Sequence, residues 1–385
     1  MKKILFVFIF TLSCWGYSQE ILSMRDPYTR ELTDYIEVKT FSDGSTMTDS
    51  HCDGVIYKKE RGKFYKRVFQ GSVNVKWFGA KGDGNADDVG TDDTQAILKA
   101  FNILSKIYSR DALSGGLVAG GFRIFFPSGK YLVNQAIKLP NGISIEGESI
   151  TSTIIHAKNP TFIFTNLVGF ASNKIDQLTT SDISIENLTL QQGGIELQNA
   201  INSRIKNLRI INLFGKETDT GLLIKQSVNL KLDNIKIFGS SGIGIIYEDS
   251  AGSGPSTTTT FDNIWISHCH VGMLIDGKTG GSHSILTSKI YNSIFEYNNV
   301  GIIFLGNVNS FVLRDSHFEQ NKEGDIKIGG TFKGTFENLW TDIGNFVLMP
   351  DLSRNSEIYL YNINLPLINK SKNKNVIVNC EDINR

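Results

Sequence analysis

The chain has 385 residues, with 39 Lys+Arg against 39 Asp+Glu and a formal net charge of zero, a balance that gives no long-range pull toward nucleic acid or an anionic membrane. Apolar residues make up 40% and charged residues 20%, which excludes a disordered chain and allows a sizeable core. With 37 Gly and only 7 Pro, the composition favours short strands joined by turns over long helices.

At the amino terminus, Lys2 and Lys3 precede an apolar run, residues 4–12, too short to cross a bilayer as a helix. Gly16-Tyr17-Ser18 then supplies small residues where a signal peptidase reads them. Residues 1–18 therefore read as a signal peptide, and the protein as secreted, periplasmic or held at the cell surface. Cys14 is a poor lipid-anchor site, because Thr11 stands where a branched aliphatic residue is expected. No other segment reaches membrane-spanning length. Export permits disulfides, but Cys52, Cys269 and Cys380 allow one bridge at most, with the pairing open.

Residues 19–72 form a small amino-terminal β segment. Tyr35-Ile36-Glu37-Val38, Val55-Ile56-Tyr57 and Phe64-Tyr65-Lys66-Arg67-Val68 alternate as short antiparallel strands do. No catalytic grouping occurs in it.

The segment from residue 73 opens with Val75-Lys76-Trp77-Phe78-Gly79-Ala80-Lys81-Gly82-Asp83-Gly84, followed by Asp92-Asp93-Thr94-Gln95-Ala96-Ile97. This reads as a strand, a Gly-rich turn and a capped helix. Thr91 or Asp92 can accept the free N–H groups of the first helical turn. Ile97, Ala100, Phe101, Leu104 and Tyr108 fall on one face at helical spacing. Gly82-Asp83-Gly84 with Asp87 and Asp88 lacks the length and closing Glu of an EF-hand loop, so a plain turn is expected.

This opening resembles that of the right-handed β-helix domains of the pectate lyase superfamily, rhamnogalacturonase/epimerase-like proteins among them. Phe125-Phe126-Pro127-Ser128-Gly129-Lys130-Tyr131-Leu132 and Leu139-Pro140-Asn141-Gly142-Ile143-Ser144-Ile145-Glu146-Gly147 continue the likeness, which covers roughly residues 73–350. The resemblance implies a helix capping the amino-terminal end of a solenoid. It implies no single reaction, since the superfamily includes lyases, hydrolases, epimerases and tailspike depolymerases. Its polygalacturonase-type hydrolases use adjacent Asp residues, a Gly-His-Gly and an Arg-Ile-Lys. Here Asp219-Thr220 and Gly242-Ile243-Gly244 stand at the first two, and Arg204-Ile205-Lys206 lies elsewhere, so that constellation is not carried over.

A repeat supports the solenoid independently. The frame apolar–any–Asn–apolar recurs around Asn187, Asn207, Asn234, Asn263, Asn292, Asp315 and Asn338, every 20 to 29 residues, as turns of a coil with variable corners do. Asn tolerates the left-handed backbone of a sharp bend, and stacked amides can hydrogen-bond from rung to rung. A second strand follows each corner, with Ile195, Leu222, Ile245, Met273, Ile302 and Ile326 directed inward by the period of two. A third strand precedes each Asn, as at Val228-Asn229-Leu230-Lys231-Leu232. The expected fold is all-β: residues 73–385 form a single-stranded right-handed parallel β-helix with a dry aliphatic core, an amino-terminal capping α-helix and the small amino-terminal β piece.

Chemistry must then use outward side chains. The longest corner insertions follow the second strand, at residues 248–259 and 276–284. At its end Lys225, Glu248 and Asp276 point outward on consecutive rungs, with the carboxylates roughly 5 Å apart. That suits a retaining pair better than an inverting one, and close like charges raise one pKa, giving an acid beside a base. Lys225 could neutralise a uronate or act as a lyase base. Asp249 and His283 on the loops, with Asp219 and His270 at the preceding corner, are substrate-binding candidates. A surface stack of ion pairs would explain the same column without function. A rival column, Lys206, Asp233, Asp262, Tyr291 and Arg314, lies before the ladder beside tight corners. Beyond the ladder lie Arg209, Lys236, Trp265, His317 and Trp340, where the indoles suit either sugar stacking or loop packing. His268-Cys269-His270 lacks a third ligand, so no metal site is expected.

The expected function is a secreted polysaccharide-degrading enzyme working by hydrolysis or β-elimination, needing no cofactor beyond Ca2+ in the lyase case. Its partner is a polysaccharide rather than nucleic acid, and it is a monomer or homotrimer. The alternatives are a non-catalytic carbohydrate-binding or surface-adhesion β-helix, or a tailspike-like depolymerase.

Overall fold

The computed structural model describes residues 20–108, 122–159, 162–166, 180–211, 219–239, 242–249, 255–278, 284–342, 344–363, 366–372 and 377–381. The signal peptide read at residues 1–18 lies outside them. The chain divides into two compact units, one ending at Gln70 and the other beginning at Gly71.

In the first unit, four short strands form an antiparallel sheet in the order Ile21–Arg25, Leu32–Glu37, Lys63–Arg67, Tyr57–Glu60. Two of the three alternating segments are strands as expected; in the remaining one, Val55 and Ile56 lie in a bend and the strand begins at Tyr57, and Ile21–Arg25 adds an edge strand that the pattern did not show. Alternation along Leu32–Glu37 and Lys63–Arg67 buries Tyr35 and Tyr65, and Tyr57, Met47, Val55 and Ile56 are buried as well. Arg67 donates to Asp26 over 2.6 Å, with both side chains almost wholly buried. The other Asp26 oxygen accepts from the Tyr28 and Thr29 N–H groups, so the buried charge is compensated on both sides.

The second unit is a right-handed parallel β-helix. Its helix, Thr94–Tyr108, begins where Asp92 accepts from the Thr94 N–H at 3.0 Å. It buries Ile97, Ala100, Phe101, Leu104 and Ile107 against Val75–Phe78 and the strand Phe122–Phe126. The Gly-Asp-Gly loop is a turn: Asp83 accepts from the Thr91 N–H and hydroxyl, and Asp88 pairs with Lys130. The fully buried Asp93 accepts from the Lys81 and Gly82 N–H groups at 2.6 and 3.0 Å, which ties the loop to the helix start.

Most coils carry one long strand bent at the ladder residue, such as Arg204–Ile211, Lys231–Phe238 and Thr260–Ser267, stacked in parallel register. In these the segments expected on either side of the Asn are one continuous strand, whereas at Asn292 they stay separate, as Lys289–Tyr291 and Ile294–Glu296. All eight corner residues, the seven expected and Asn362, have φ between +47° and +62°, the left-handed region that costs most L-residues about 1–2 kcal/mol and Asn less. Their amides donate up the stack: Asn207 to Asn187 at 3.0 Å, Asn234 to Asn207 at 2.9 Å and Asn263 to Asn234 at 3.4 Å. The run then breaks, because Asn292 donates to Asp262 rather than Asn263. It resumes from Asn338 to Asp315 and from Asn362 to Asn338.

The second strands, Gly194–Gln198, Thr220–Lys225, Ile243–Glu248, Val271–Gly277, the start of Val300–Glu319 and Gly324–Ile328, form the other large face. Every inward residue expected there is 0–1% exposed. The glycines at the starts of these strands have a stacking reason. A Cβ on Gly221, Gly244, Gly272 or Gly301 would lie 2.5–2.6 Å from the carbonyl of the next rung. Asp325 ends this column. It is fully buried, accepting from Asn321 at 2.8 Å and from Thr341 at 2.6 Å, and burial raises its pKa despite both bonds. The core departs from the aliphatic expectation toward the carboxyl terminus. Phe304 meets Phe311, Phe332 and Phe336 edge-on at 5.0–5.8 Å, and Phe295 stacks on Phe318. Cys52 and Cys269 are free thiols, and burial pushes the Cys269 thiol up to about 12.

Candidate functional site

The outward column at the end of the second strands runs Gln198, Lys225, Glu248, Asp276, Leu305 in direct register. Alternation sets it, since Ile224, Tyr247 and Ile275 one residue earlier are buried. Glu248 and Asp276 thus sit one rung, about 4.8 Å, apart. Glu248 is 10% exposed at its side chain and lies between two lysines, Lys225 at 3.3 Å on one oxygen and Lys278 at 2.8 Å on the other. Lys278 was not anticipated. Carrying the period of two past Asp276 and Gly277 lands on it, so the signal was present in the sequence.

Asp276 is half-buried, and burial holds its carboxyl above the usual value of 3.8, with Glu248 pushing the same way and Lys278 opposing. The hydrogen bond to Glu248 raises the Lys278 ammonium, keeping it protonated. Asp249 is fully buried and accepts from the Lys278 N–H at 2.7 Å. It therefore fixes the corner from which Lys278 reaches Glu248, rather than facing a ligand.

Asp219 and His270 belong to the opposite edge of the same sheet. The Asp219 carbonyl accepts from Ile243 N–H, and His270 Nδ1 lies 2.9 Å from the Asn299 amide. About six residues of extended chain, roughly 20 Å, separate this edge from the Glu248 column, so the two sets are not brought together. His283 lies outside the described residues. Between the two edges runs an aliphatic column, Leu223, Ile246, Leu274 and Ile303, in register and partly exposed.

The rival column is also in register, but its groups are engaged in the fold. Asp233 lies 3.7 Å from Arg204 and 3.8 Å from Lys206, Asp262 accepts from Asn292, and Arg314 covers the Tyr291 ring. His268 stacks on Tyr297 while Cys269 turns inward, so His268-Cys269-His270 does not converge. Among the described residues, no group of three or more His, Cys, Asp or Glu could hold a metal ion.

Residues 72–326, more than half of the chain, match the family model described as Rhamnogalacturonase A/epimerase, pectate lyase-like. The chain belongs to this family. The rhamnogalacturonase A/epimerase, pectate lyase-like match ends within the Gly324–Ile328 rung. The chain is 28% identical to the pre-neck appendage protein of Bacillus phage B103 over 248 residues, 59% of this chain and 24% of that protein. It thus spans about a quarter of that relative's length. The solved surface protein and adhesin PfbA of Streptococcus pneumoniae superposes with a TM-score of 0.54 at 17% identity, covering 80% of this chain and 96% of that one. The enzymatically active domain of the bacteriophage CBA120 tailspike protein 2 gives 0.57 at 14%, covering 91% and 50%. Both likenesses are of fold. Among the described residues, no helix is long and apolar enough to cross a membrane.

Proposed function

We propose that the protein acts on an extracellular polysaccharide along the second-strand face and hydrolyses glycosidic bonds there through Asp276 and Glu248. The observation that supports this most is the contrast between two carboxyls one rung apart. Asp276 is pushed toward its protonated form by burial, whereas Glu248 has a lysine on each oxygen. Neighbouring carboxyls with divergent surroundings are the arrangement acid/base hydrolysis needs. Asp276 donates its proton to the leaving glycosidic oxygen, and Glu248 stabilises or attacks the positive sugar carbon, in keeping with a retaining spacing. Hydrolysis fits better than elimination, because Lys278, the ammonium raised by its bond to Glu248, and Lys225 are both engaged with that carboxylate.

The test is incubation of the purified mature protein with neutral and charged polysaccharides, following reducing ends and ultraviolet-absorbing unsaturated products. Reducing ends without unsaturation, lost in Asp276→Asn and Glu248→Gln, are expected. Undiminished turnover in both variants would remove the pair from the site, and unsaturated products abolished by chelator would point to Ca2+-assisted elimination. A second reading, a non-catalytic glycan-binding or adhesion module, is favoured by the saturation of Glu248 by two lysines and by the aliphatic column beside it. It predicts retention on a polysaccharide with no product.

A further inference from the structure

A different surface, beyond the ladder on the carboxyl-terminal rungs, has an organisation that the proposed cleavage does not use. Trp265, Ile294, His317 and Trp340 form one outward column in direct register, about 14 Å long over three rungs. Two residues further along each strand, Glu296 and Glu319 face each other on adjacent rungs. At the corner beyond them, the His268 and Tyr297 rings stack 5.4 Å apart. The carboxylates thus lie between two rows of rings set roughly 10 Å apart.

Two of the rings, Trp340 and Tyr297, are presented to solvent, whereas Trp265 is covered by the Lys236 ammonium and meets Phe238 edge-on. Trp340 is 48% and Tyr297 47% exposed, and His317 sets the Trp340 ring by an edge contact at 4.2 Å. The Trp265 indole N–H donates to Glu296 at 2.9 Å, which fixes that carboxylate between the rows. His317 lies 3.5 Å from Glu319. Among the described residues, no lysine or arginine comes within ion-pair distance of Glu296 or Glu319. This contrasts with Glu248, which has two.

We infer that this face binds a glycan carrying free amino groups, an amino-sugar chain lying along the helix axis. The exposed faces of Trp340 and Tyr297 can take the C–H faces of sugars, and adjacent carboxylates paired with no lysine or arginine call for a ligand that brings positive charge. A uronate chain would be repelled. An extended peptide adding as a strand needs an open sheet edge, but these rungs are paired on both sides. A second copy docked by two-fold symmetry would lay the acidic row against itself.

Calorimetric titration at low salt with a glucosamine hexamer, an N-acetylglucosamine hexamer and hexalysine tests this. The glucosamine hexamer is expected to bind, with affinity falling steeply as salt rises. Trp340→Ala and Tyr297→Ala should each weaken it about tenfold, and the pair Glu296→Gln with Glu319→Gln should abolish both binding and salt dependence. Circular dichroism checks that each variant is folded, and two exposed rings on different rungs keep the test independent of either one. Unchanged affinity in the folded variants, or equal binding of the acetylated hexamer or of hexalysine, would overturn the inference. Glu248→Gln and Asp276→Asn should leave this titration unchanged, so loss of cleavage and loss of amino-glycan binding are separately observable.

Discussion

Glu248 and Asp233 are the same construction on two faces of one coil: an outward carboxylate between two cations. On the second-strand face the side chain is 10% exposed and the lysines stand at 3.3 and 2.8 Å. On the ladder face it is 37% exposed and the cations stand at 3.7 and 3.8 Å. Water screens the second arrangement and is largely excluded from the first. Surface pairs contribute about 0–1 kcal/mol, whereas breaking a buried pair costs about 3–5 kcal/mol because a charge is stranded. Composition and spacing do not distinguish the two; desolvation does.

The sharpest way to break the comparison is truncation. Glu248→Ala leaves Lys225 and Lys278, 28% and 45% exposed, facing each other without their carboxylate and is expected to cost about 1–2 kcal/mol, against less than about 1 kcal/mol for Asp233→Ala. Urea midpoints measure both, and equal losses would show that burial is not what separates the faces. The ladder between them is a reference of comparable size. Asn207 donates to Asn187 and accepts from Asn234 at φ +49°, so Asn207→Ala should cost about 2 kcal/mol from two lost amide bonds and the left-handed backbone.

A smaller effect is expected from pH. Asp276 binds its proton more tightly folded than unfolded, because burial raises its pKa above 3.8. Its contribution to stability is full below that value and declines as pH rises through the folded pKa. Asp276→Asn should remove this share of the decline while Asp93 and Asp325, also raised by burial, keep theirs. Urea titrations across the acid range would show it, and an unaltered pH slope in Asp276→Asn would count against the burial assigned to that carboxyl. The smallest effect is that of salt. Near ~1 M, where screening acts within about 3 Å, the Asp233 pairs should lose only tenths of a kcal/mol and the Glu248 cluster less.

The solenoid was legible because its constraint is local and chemical: few residues tolerate a left-handed corner, and six Asn and one Asp in the same frame report one directly. Asn362 follows the same frame, 24 residues after Asn338, and continues the ladder past the last copy read. Inward residues followed from the period of two. The aliphatic column of Leu223, Ile246, Leu274 and Ile303 follows from that same period, since each neighbours a buried residue. What was not legible depends on distance along a strand or on rotamers. Asp219 and His270 share coils with the Glu248 column yet lie at the other edge of the sheet. Asp249 turns inward to a backbone N–H, which no linear pattern encodes, and although the period of two marks Lys278 as outward, its reach back to Glu248 on the preceding rung depends on its rotamer. The Phe-filled carboxyl-terminal core was visible as composition, but the edge-on packing of Phe304 required the coil to be built.

The interruption of the amide ladder between Asn263 and Asn292 has a mechanical consequence. In a solenoid, stability passes only between adjacent turns, so each junction depends on the bonds that cross it. Here Asn292 donates to Asp262 at 2.9 Å and the Ile264 N–H to Ser293 at 3.2 Å, so the acceptor shifts by one residue while the junction stays bridged. The load that Asn263 would carry thus falls on Asp262, and Asp262→Ala should lower hydrogen-exchange protection on both sides of this junction, at Ile264 and Ile294.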